Sequence, residues 1–161
     1  EVAEDAPDWK LALVGSDNYG EQAKLEAIVA ERGLSERVVF PGFVSGDEKL
    51  AWLKHAGIFC LPSSGEGLSI SQLEAMACGV PCLLSTGCNY PEIQQSGGGF
   101  ELPLEQSAWA KHLAMLMNDE SQRAACGENA RRQFEKHHTL DAVGRQFEAA
   151  YDQFMPMASR I

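Results

Sequence analysis

Two glutamates eight residues apart, Glu66 and Glu74, stand on either side of a predicted junction between a loop and a helix. The preceding strand ends near Leu61, and the helix is predicted over residues 68–78, with Gly79 as its stop signal. An ionised carboxylate accepts several hydrogen bonds from hydroxyl groups. Eight helical residues rise about 12 Å, comparable to the reach of an extended nucleotide-sugar. The spacing therefore favours contacts to hydroxyl-rich groups at the two ends of a diphosphate.

Each glutamate also has an ordinary structural interpretation, Glu66 as a residue near a helix N-terminus and Glu74 as an exposed helix residue. Leu73 and residues 75–77 are apolar neighbours of Glu74, so its turn is predicted to be partly buried. A buried carboxylate is unfavourable without a partner or a ligand. The pair, taken with the whole segment, favours the functional interpretation.

The rest of the chain alternates short apolar runs with helix-length segments, which is the pattern of an α/β fold with a parallel sheet. Strands are predicted at 10–15, 37–40, 57–62, 81–85 and 99–102. Helices are predicted at 21–32, 47–56, 68–78, 105–117, 120–137 and 140–155. Ligands bind at the carboxyl ends of the strands in such sheets. The chain is therefore predicted to be one α/β domain with a helical tail and a largely self-contained core from Leu11 to Leu102.

Local signals sharpen two parts of this prediction. Apolar residues recur at helical spacing in the segment 21–32, at Ala23, Leu25, Ile28 and Val29, and indicate a packed face. In the tail, Asp119 or Ser121 is predicted to cap the helix 120–137, and Thr139 the helix that follows it.

Composition excludes several classes of function. The formal net charge is −10, with 23 acidic and 13 basic residues, which argues against a nucleic-acid partner because such binding needs clustered Lys and Arg. A small phosphorylated ligand remains compatible, because backbone N–H groups at a helix N-terminus hold phosphate without cationic side chains. The acidic residues 1–5 lack the order of a secretory signal, and the apolar runs are short, so a cytoplasmic protein is predicted.

Cysteine and histidine give no sign of a metal or disulfide framework. The five cysteines are odd in number and lack CxxC spacing, so no metal site is predicted. Cys60 and Cys82 lie inside apolar runs and are predicted to be small core residues. The adjacent His137 and His138 are predicted to lie on the surface.

The stretch from Pro62 to Pro81 resembles the E-x7-E motif region of the large family of retaining glycosyltransferases with the GT-B fold. The matching residues are Pro62-Ser63, Glu66-Gly67, Leu73-Glu74-Ala75-Met76-Ala77, Gly79 and Pro81. The resemblance implies a Rossmann-like parallel sheet flanked by helices, as in the C-terminal half of a GT-B protein. It covers nearly the whole chain, with less specific matches outside this motif.

The same resemblance implies a role for each motif residue. Glu66 would contact the hydroxyls of the donor sugar and support the transition state, as the catalytic residue. Glu74 would bind the ribose hydroxyls of the donor. The backbone N–H groups of Gly67, Leu68 and Ser69 would hold the sugar and the diphosphate.

Other segments resemble parts of the family pattern more loosely. The strand and turn ending at Gly15 look like those beside the donor site, and the loop 39–44 is similar to one whose backbone bonds the base, around Val44. The segment 89–93 is similar to a turn that follows the next strand. Ser69 departs from the family, which usually has glycine there, so the side chain would narrow the sugar pocket or add a hydroxyl contact.

A second departure concerns what the chain does not contain. Nothing before Lys10 matches the family's strand and loop with an Arg and a Lys that bind the diphosphate. The acceptor-binding N-terminal domain is also absent from the 161 residues. We therefore interpret residues 1–161 as a single nucleotide-sugar-binding domain from a longer two-domain chain, and predict that it is inactive in transfer by itself.

The family resemblance completes the predicted function. It implies transfer from a nucleotide-diphosphate sugar, without cofactor or metal, to a glycan or lipid-linked acceptor bound through the N-terminal domain. It also implies peripheral association of the full-length protein with the inner membrane face, and polysaccharide or glycolipid assembly. Two alternatives remain open: a nucleotide-sugar epimerase of the same overall fold, and a non-catalytic nucleotide-binding or interaction module.

Overall fold

The computed structural model describes residues 2–158, and within that range the chain forms five strands and eight α-helices. The strands are β1 Leu11–Val14, β2 Val38–Gly42, β3 Phe59–Leu61, β4 Cys82–Ser85 and β5 Gly99–Leu102. The helices are α1 Val2–Asp5, α2 Gln22–Glu31, α3 Gly46–His55, α4 Ile70–Ala77, α5 Glu92–Gln95, α6 Gln106–Asn118, α7 Glu120–His137 and α8 Leu140–Ala158. The short helices α1 and α5 have no counterpart in the sequence prediction.

The strands form two hydrogen-bonded sheets, and every strand pair is parallel. One sheet has the order β1–β2 and the other β3–β4–β5. In the second sheet Leu83 lies between Cys60 and Phe100 on the neighbouring strands. The predicted α/β architecture with parallel strands is confirmed, although the backbone does not join all five strands into one sheet.

The buried core surrounds β4, whose four residues are all buried. Its side chains alternate between the two faces, as the period of a strand requires. Cys82 and Leu84 belong to one apolar cluster, which includes residues of α4 and α7. Leu83 belongs to a second cluster, which includes Leu116 and other residues of α6. Helices therefore cover both faces of this sheet.

The first sheet is much more open. Leu11 and Val14 of β1 are 49% and 45% exposed, and Leu25 and Ile28 of α2 are 41% and 47% exposed. Both apolar clusters draw their members from Leu53 onward. The prediction of a largely self-contained core beginning at Leu11 is therefore wrong for the β1–α2–β2 part, because the apolar spacing there marks a face that the described residues do not cover.

The helical tail follows the predicted pattern closely. The carboxylate of Asp119 accepts a hydrogen bond from the Gln122 N–H at 2.8 Å, and the Thr139 hydroxyl accepts one from the Ala142 N–H at 3.1 Å. Both predicted caps are confirmed, whereas Ser121 donates to Asp119 instead of capping the helix. No helix among residues 2–158 is long and apolar enough to cross a membrane.

His138 is where the prediction of a surface position is wrong. Its ring is half-buried, and Nε2 lies 2.6 Å from the Tyr90 hydroxyl. Burial lowers the pKa of His138, an effect that the neighbouring His137 reinforces. Burial raises the pKa of Tyr90. The contact ties the C-terminal end of α7 to the loop that follows β4.

Candidate functional site

The predicted site begins where β3 ends at Leu61 and the chain enters the loop 62–69. Glu66, in the middle of this loop, is half-buried. Helix α4 begins at Ile70, two residues later than predicted, so Glu74 lies in its second turn. The assumption of eight helical residues between the two glutamates is therefore wrong, because the first part of the segment is loop.

Backbone contacts hold the loop around Glu66 against the loop after β4. The Glu66 N–H donates to the Gly87 carbonyl at 2.8 Å, and the Asn89 side-chain amide donates to the Glu66 carbonyl at 3.2 Å. The Ser85 hydroxyl donates to the Ser63 carbonyl. Together these bonds fix the backbone of Glu66 at the carboxyl ends of β3 and β4.

The two loops approach so closely that one position has no room for a side chain. A Cβ atom on Gly87 would lie 2.5 Å from the carbonyl oxygen of Ser63. Two residues later, Asn89 adopts a left-handed conformation with φ 50°, which asparagine tolerates better than most residues. Gly87 and Asn89 thus position the loop that carries Glu66. Asn89 is included in the sequence analysis only as part of the segment 89–93, and Gly87 is not mentioned there, because the asparagine shortly after it is its only local signal.

Helix α4 opens with backbone N–H groups at the same edge. Ser69 is 8% exposed, and its hydroxyl pairs with that of Ser71 at 3.0 Å. Among the described residues it makes no side-chain hydrogen bond that caps α4. The first N–H groups of a helix have no partner inside the helix, and they carry its positive dipole end. Gly67 and Leu68, both exposed, lead into this helix start.

Glu74 has a partner within the chain. Its Oε1 lies 2.6 Å from the Lys49 ammonium of α3, and the two side chains are 26% and 36% exposed, respectively. The turn is partly buried, as predicted. The Glu74 carboxylate is paired with Lys49, however, so its burial does not by itself require a ligand. Lys49 was not identified from the sequence, because the two residues are 25 positions apart.

Gly15 and Val44 belong to the other sheet. Gly15 follows β1, and its N–H donates to the Gly42 carbonyl at 2.9 Å. It lines an open groove of about 250 Å³ at the carboxyl end of β1, together with residues 16–19. Val44 follows β2, and its side chain is buried, with 6% exposed. Both residues lie where a parallel strand has ended.

Among the residues whose structure is described, the buried cysteines and the remaining metal-binding side-chain types give no sign of a second reactive site. Burial raises the pKa of the Cys60 thiol to about 12 and also raises that of Cys82, so neither is a thiolate at neutral pH. Within the described range 2–158, no group of three or more His, Cys, Asp or Glu side chains is arranged to hold a metal ion.

The family model that matches this chain and a curated protein similar to it both describe glycosyltransferases. The model of one family, glycosyl transferases group 1, matches residues 1–133. The lipopolysaccharide core biosynthesis mannosyltransferase LpsB of Rhizobium meliloti (strain 1021) is 27% identical over 157 residues. That match covers 92% of this chain and 44% of LpsB, so the chain spans less than half the length of this relative.

Solved structures share the fold. The C-terminal domain of a glycosyl transferase group 1 family protein, LpcC of Francisella tularensis, superposes with a TM-score of 0.78 at 23% identity, covering 86% of this chain and 74% of that one. Anabaena Alr3699/HepE in complex with UDP has a TM-score of 0.78 at 23% identity, covering 91% of this chain and 42% of that one. At this identity the two structures bear on the fold alone.

Proposed function

This chain belongs to the glycosyl transferases group 1 family, with the fold of a GT-B C-terminal domain, and we propose that it is the donor-binding domain of a retaining glycosyltransferase. The whole enzyme would transfer a sugar from a nucleotide diphosphate to a glycan or lipid-linked acceptor. Because the chain spans 44% of LpsB, the acceptor site would lie in another part of the full-length protein.

The observation that carries this proposal is the arrangement around the start of α4. Glu66 precedes the helix start and Glu74 follows it, at the edge where β3 and β4 end. Ligands of open α/β sheets bind at this edge. Carboxylates on both sides of a helix N-terminus suit a ligand that has hydroxyl groups at both ends and phosphates in the middle.

Within residues 1–161, the phosphates would meet backbone N–H groups rather than cationic side chains. The N–H groups that open α4 can donate to the diphosphate, and the helix dipole favours its negative charge. Charge grows on the leaving diphosphate during transfer, so donors fixed before the reaction lower the barrier. The Arg and Lys expected from the family resemblance would come from outside residues 1–161.

The two glutamates would contact different parts of the donor. Glu74 would accept hydrogen bonds from the ribose hydroxyls, and Glu66, held by the Gly87 and Asn89 contacts, would face the sugar. Loss of Glu74 should therefore weaken nucleotide binding, whereas loss of Glu66 should slow transfer. HepE, a structural relative, was solved with UDP, which makes UDP a natural first probe.

Titration calorimetry of the full-length protein with UDP, GDP and ADP tests the nucleotide site. Hydrogen bonds to charged groups contribute about 1.5–3 kcal/mol. Glu74→Ala should therefore raise the dissociation constant of the nucleotide that binds best about ten- to a hundredfold. Glu128→Ala is the matched control, because Glu128 also pairs with a basic residue, Arg132, but on α7. An unchanged dissociation constant for Glu74→Ala would refute this role.

Transfer itself is tested with a panel of nucleotide-diphosphate sugars and extracted glycolipid acceptors. Glu66→Ala should abolish transfer while nucleotide affinity changes little. Interconversion of the donor sugar without transfer would support the epimerase alternative. Nucleotide binding without any turnover by the full-length protein would support the non-catalytic module.

We expect residues 1–161 alone to transfer no sugar. Transfer requires the donor and acceptor to be held together in a closed cleft, and that proximity supplies much of the rate. Turnover by the isolated chain above the no-protein background, lost in Glu66→Ala, would contradict this expectation.

A further inference from the structure

One ion pair in the molecule differs from the others. Lys49 of α3 and Glu74 of α4 are 25 positions apart, and their charged atoms lie 2.6 Å apart. The remaining ion pairs among residues 2–158 join residues three or four apart in the sequence, and each of those side chains is more than half exposed. Exposed pairs of that kind contribute little. The Lys49–Glu74 pair is better shielded and links two elements.

Lys49 also stands where its own helix does not favour a positive charge. Helix α3 begins at Gly46, so Lys49 is in the first turn, behind the acidic Asp47 and Glu48. The N-terminal turn of a helix carries a positive partial charge, which favours acidic residues and disfavours lysine. The ion-pair partner that the structure gives the ammonium is the Glu74 carboxylate, which lies outside α3.

On the basis of the function proposed above, we propose that Lys49 is a positioning residue of the donor site, which acts through Glu74. The Lys49 ammonium donates a hydrogen bond to Oε1 of Glu74, which holds the carboxylate in one orientation. Oε2 of Glu74 is then left to accept hydrogen bonds from a ribose diol. A carboxylate pinned in this way loses less rotational freedom when the ribose binds.

The pair also reduces a charge conflict. An unpaired Glu74 carboxylate would repel the diphosphate of the donor, whereas the Lys49–Glu74 pair carries no net charge. This matters in a chain whose formal net charge is −10. Lys49 thus lets an acidic residue serve as a hydroxyl acceptor beside an anionic ligand.

The decisive experiment compares two ligands on the full-length protein: the best of UDP, GDP and ADP, and its 2′,3′-dideoxy analogue. Residues in contact couple by about 0.5–3 kcal/mol, so Lys49→Met should raise the dissociation constant of the ribonucleotide by roughly two- to 150-fold. The dideoxy analogue has no hydroxyls for Glu74 but keeps the diphosphate, so Lys49→Met should weaken its binding less than it weakens binding of the ribonucleotide. Lys49→Arg keeps the charge and should restore most of the ribonucleotide affinity.

Lys24→Met is the matched control. Lys24 pairs at 2.7 Å with Glu21, the residue just before α2, and both side chains are exposed. Its loss removes the same charge from the protein and should leave both dissociation constants unchanged. Thermal unfolding of every variant separates folding from binding, and Lys49→Gln replaces Lys49→Met if the latter unfolds.

Each other outcome overturns a defined part of the proposal. Unchanged ribonucleotide affinity in a folded Lys49→Met or Lys49→Gln protein overturns the role of Lys49. An equal loss for both ligands, in step with a lower unfolding temperature, assigns the pair to packing of α3 on α4 and also overturns it. If Glu74→Ala leaves the nucleotide affinity unchanged, or if no nucleotide binds, the proposed donor site is refuted. The proposed role of Lys49 is then refuted as well.

Discussion

The two sheets of this molecule share strand type and direction but differ in how they are buried. All four residues of β4 are buried between helices, whereas every residue of β1 and β2 is half-buried or exposed. Both apolar clusters surround the β3–β4–β5 sheet. The hydrophobic contribution to stability is therefore concentrated in one sheet, because it scales with the apolar area removed from water.

The residues predicted to form the site are divided between these two regions. Glu66 and Glu74 follow β3, on the well-buried sheet, whereas Gly15 and Val44 follow β1 and β2. A site that must hold its groups precisely benefits from rigid support. The contrast implies that the two glutamates are held firmly and that the groove at Gly15 belongs to the region that opens more easily.

The largest expected effect comes from removing equal side chains from the two sheets. Leu84→Ala, at a position with no exposure, should lower the free energy of unfolding by about 2–5 kcal/mol, the usual cost of a cavity in a core. Leu11→Ala, at a position 49% exposed, should cost less than half as much. Urea unfolding measures both. Equal costs would show that the sheets are equally buried in solution.

The next effect concerns a polar side chain of the well-buried region that has no hydrogen-bond partner among residues 2–158. Gln72 is fully buried, and neither polar atom of its side chain has a hydrogen-bond partner in the described part of the chain. A buried unsatisfied polar group costs about 1–3 kcal/mol, so Gln72→Leu should raise stability by a similar amount. Gln153→Leu, on the exposed part of α8, is the control and should change little. A destabilised Gln72→Leu protein would mean that the amide has a partner.

A smaller effect is expected at the start of α7, which packs on the buried sheet. Asp119→Ala removes the cap to Gln122 and should lower the unfolding temperature slightly, because the first N–H groups of α7 lose an acceptor. Asp119→Asn keeps an acceptor oxygen and should retain most of that stability. Thermal unfolding compares the two variants. If they lose the same amount, the charge of Asp119 matters more than the hydrogen bond.

The smallest effect is a pH dependence at His138. Burial lowers its pKa in the folded protein from an ordinary value of 6.5. Stability from the neutral ring is therefore full above pH 6.5 and declines as the pH falls toward the lowered folded-state pKa, because the unfolded chain binds the proton first. Around this ring, His137 opposes protonation and Glu92 favours it, while Tyr90 makes the hydrogen bond.

Urea unfolding between pH 8 and pH 5 measures this dependence. His138→Gln should be less stable than the wild type at high pH, and the difference should shrink on acidification. A constant difference across the range would contradict the lowered pKa.

Features fixed by neighbouring residues could be predicted from the sequence. The bounds of β5 and α7 agree with the prediction, because turn glycines and the Asp119 cap mark them locally. The parallel α/β architecture follows from the alternation of apolar runs and helices. The positions of Glu66 and Glu74 at a strand's carboxyl end followed from the same order.

Features that depend on distant parts of the chain could not be predicted. The apolar spacing of α2 is real, but periodicity does not show whether anything covers the face. The Lys49–Glu74 pair and the His138–Tyr90 contact join residues 25 and 48 positions apart, with no local signal. The late start of α4 is also a tertiary effect, because the loop before it is bonded to the loop after β4.

The close approach at Gly87 has a consequence for how this protein can change over evolutionary time. Any side chain at position 87 would displace the Ser63 carbonyl, and with it the strand-end loop that carries Glu66. Insertions in the loop 62–69 would likewise break the bond from the Glu66 N–H to Gly87. The two loops must therefore vary together, and an engineer who replaces the loop 62–69 of this scaffold has to replace residues 85–89 with it.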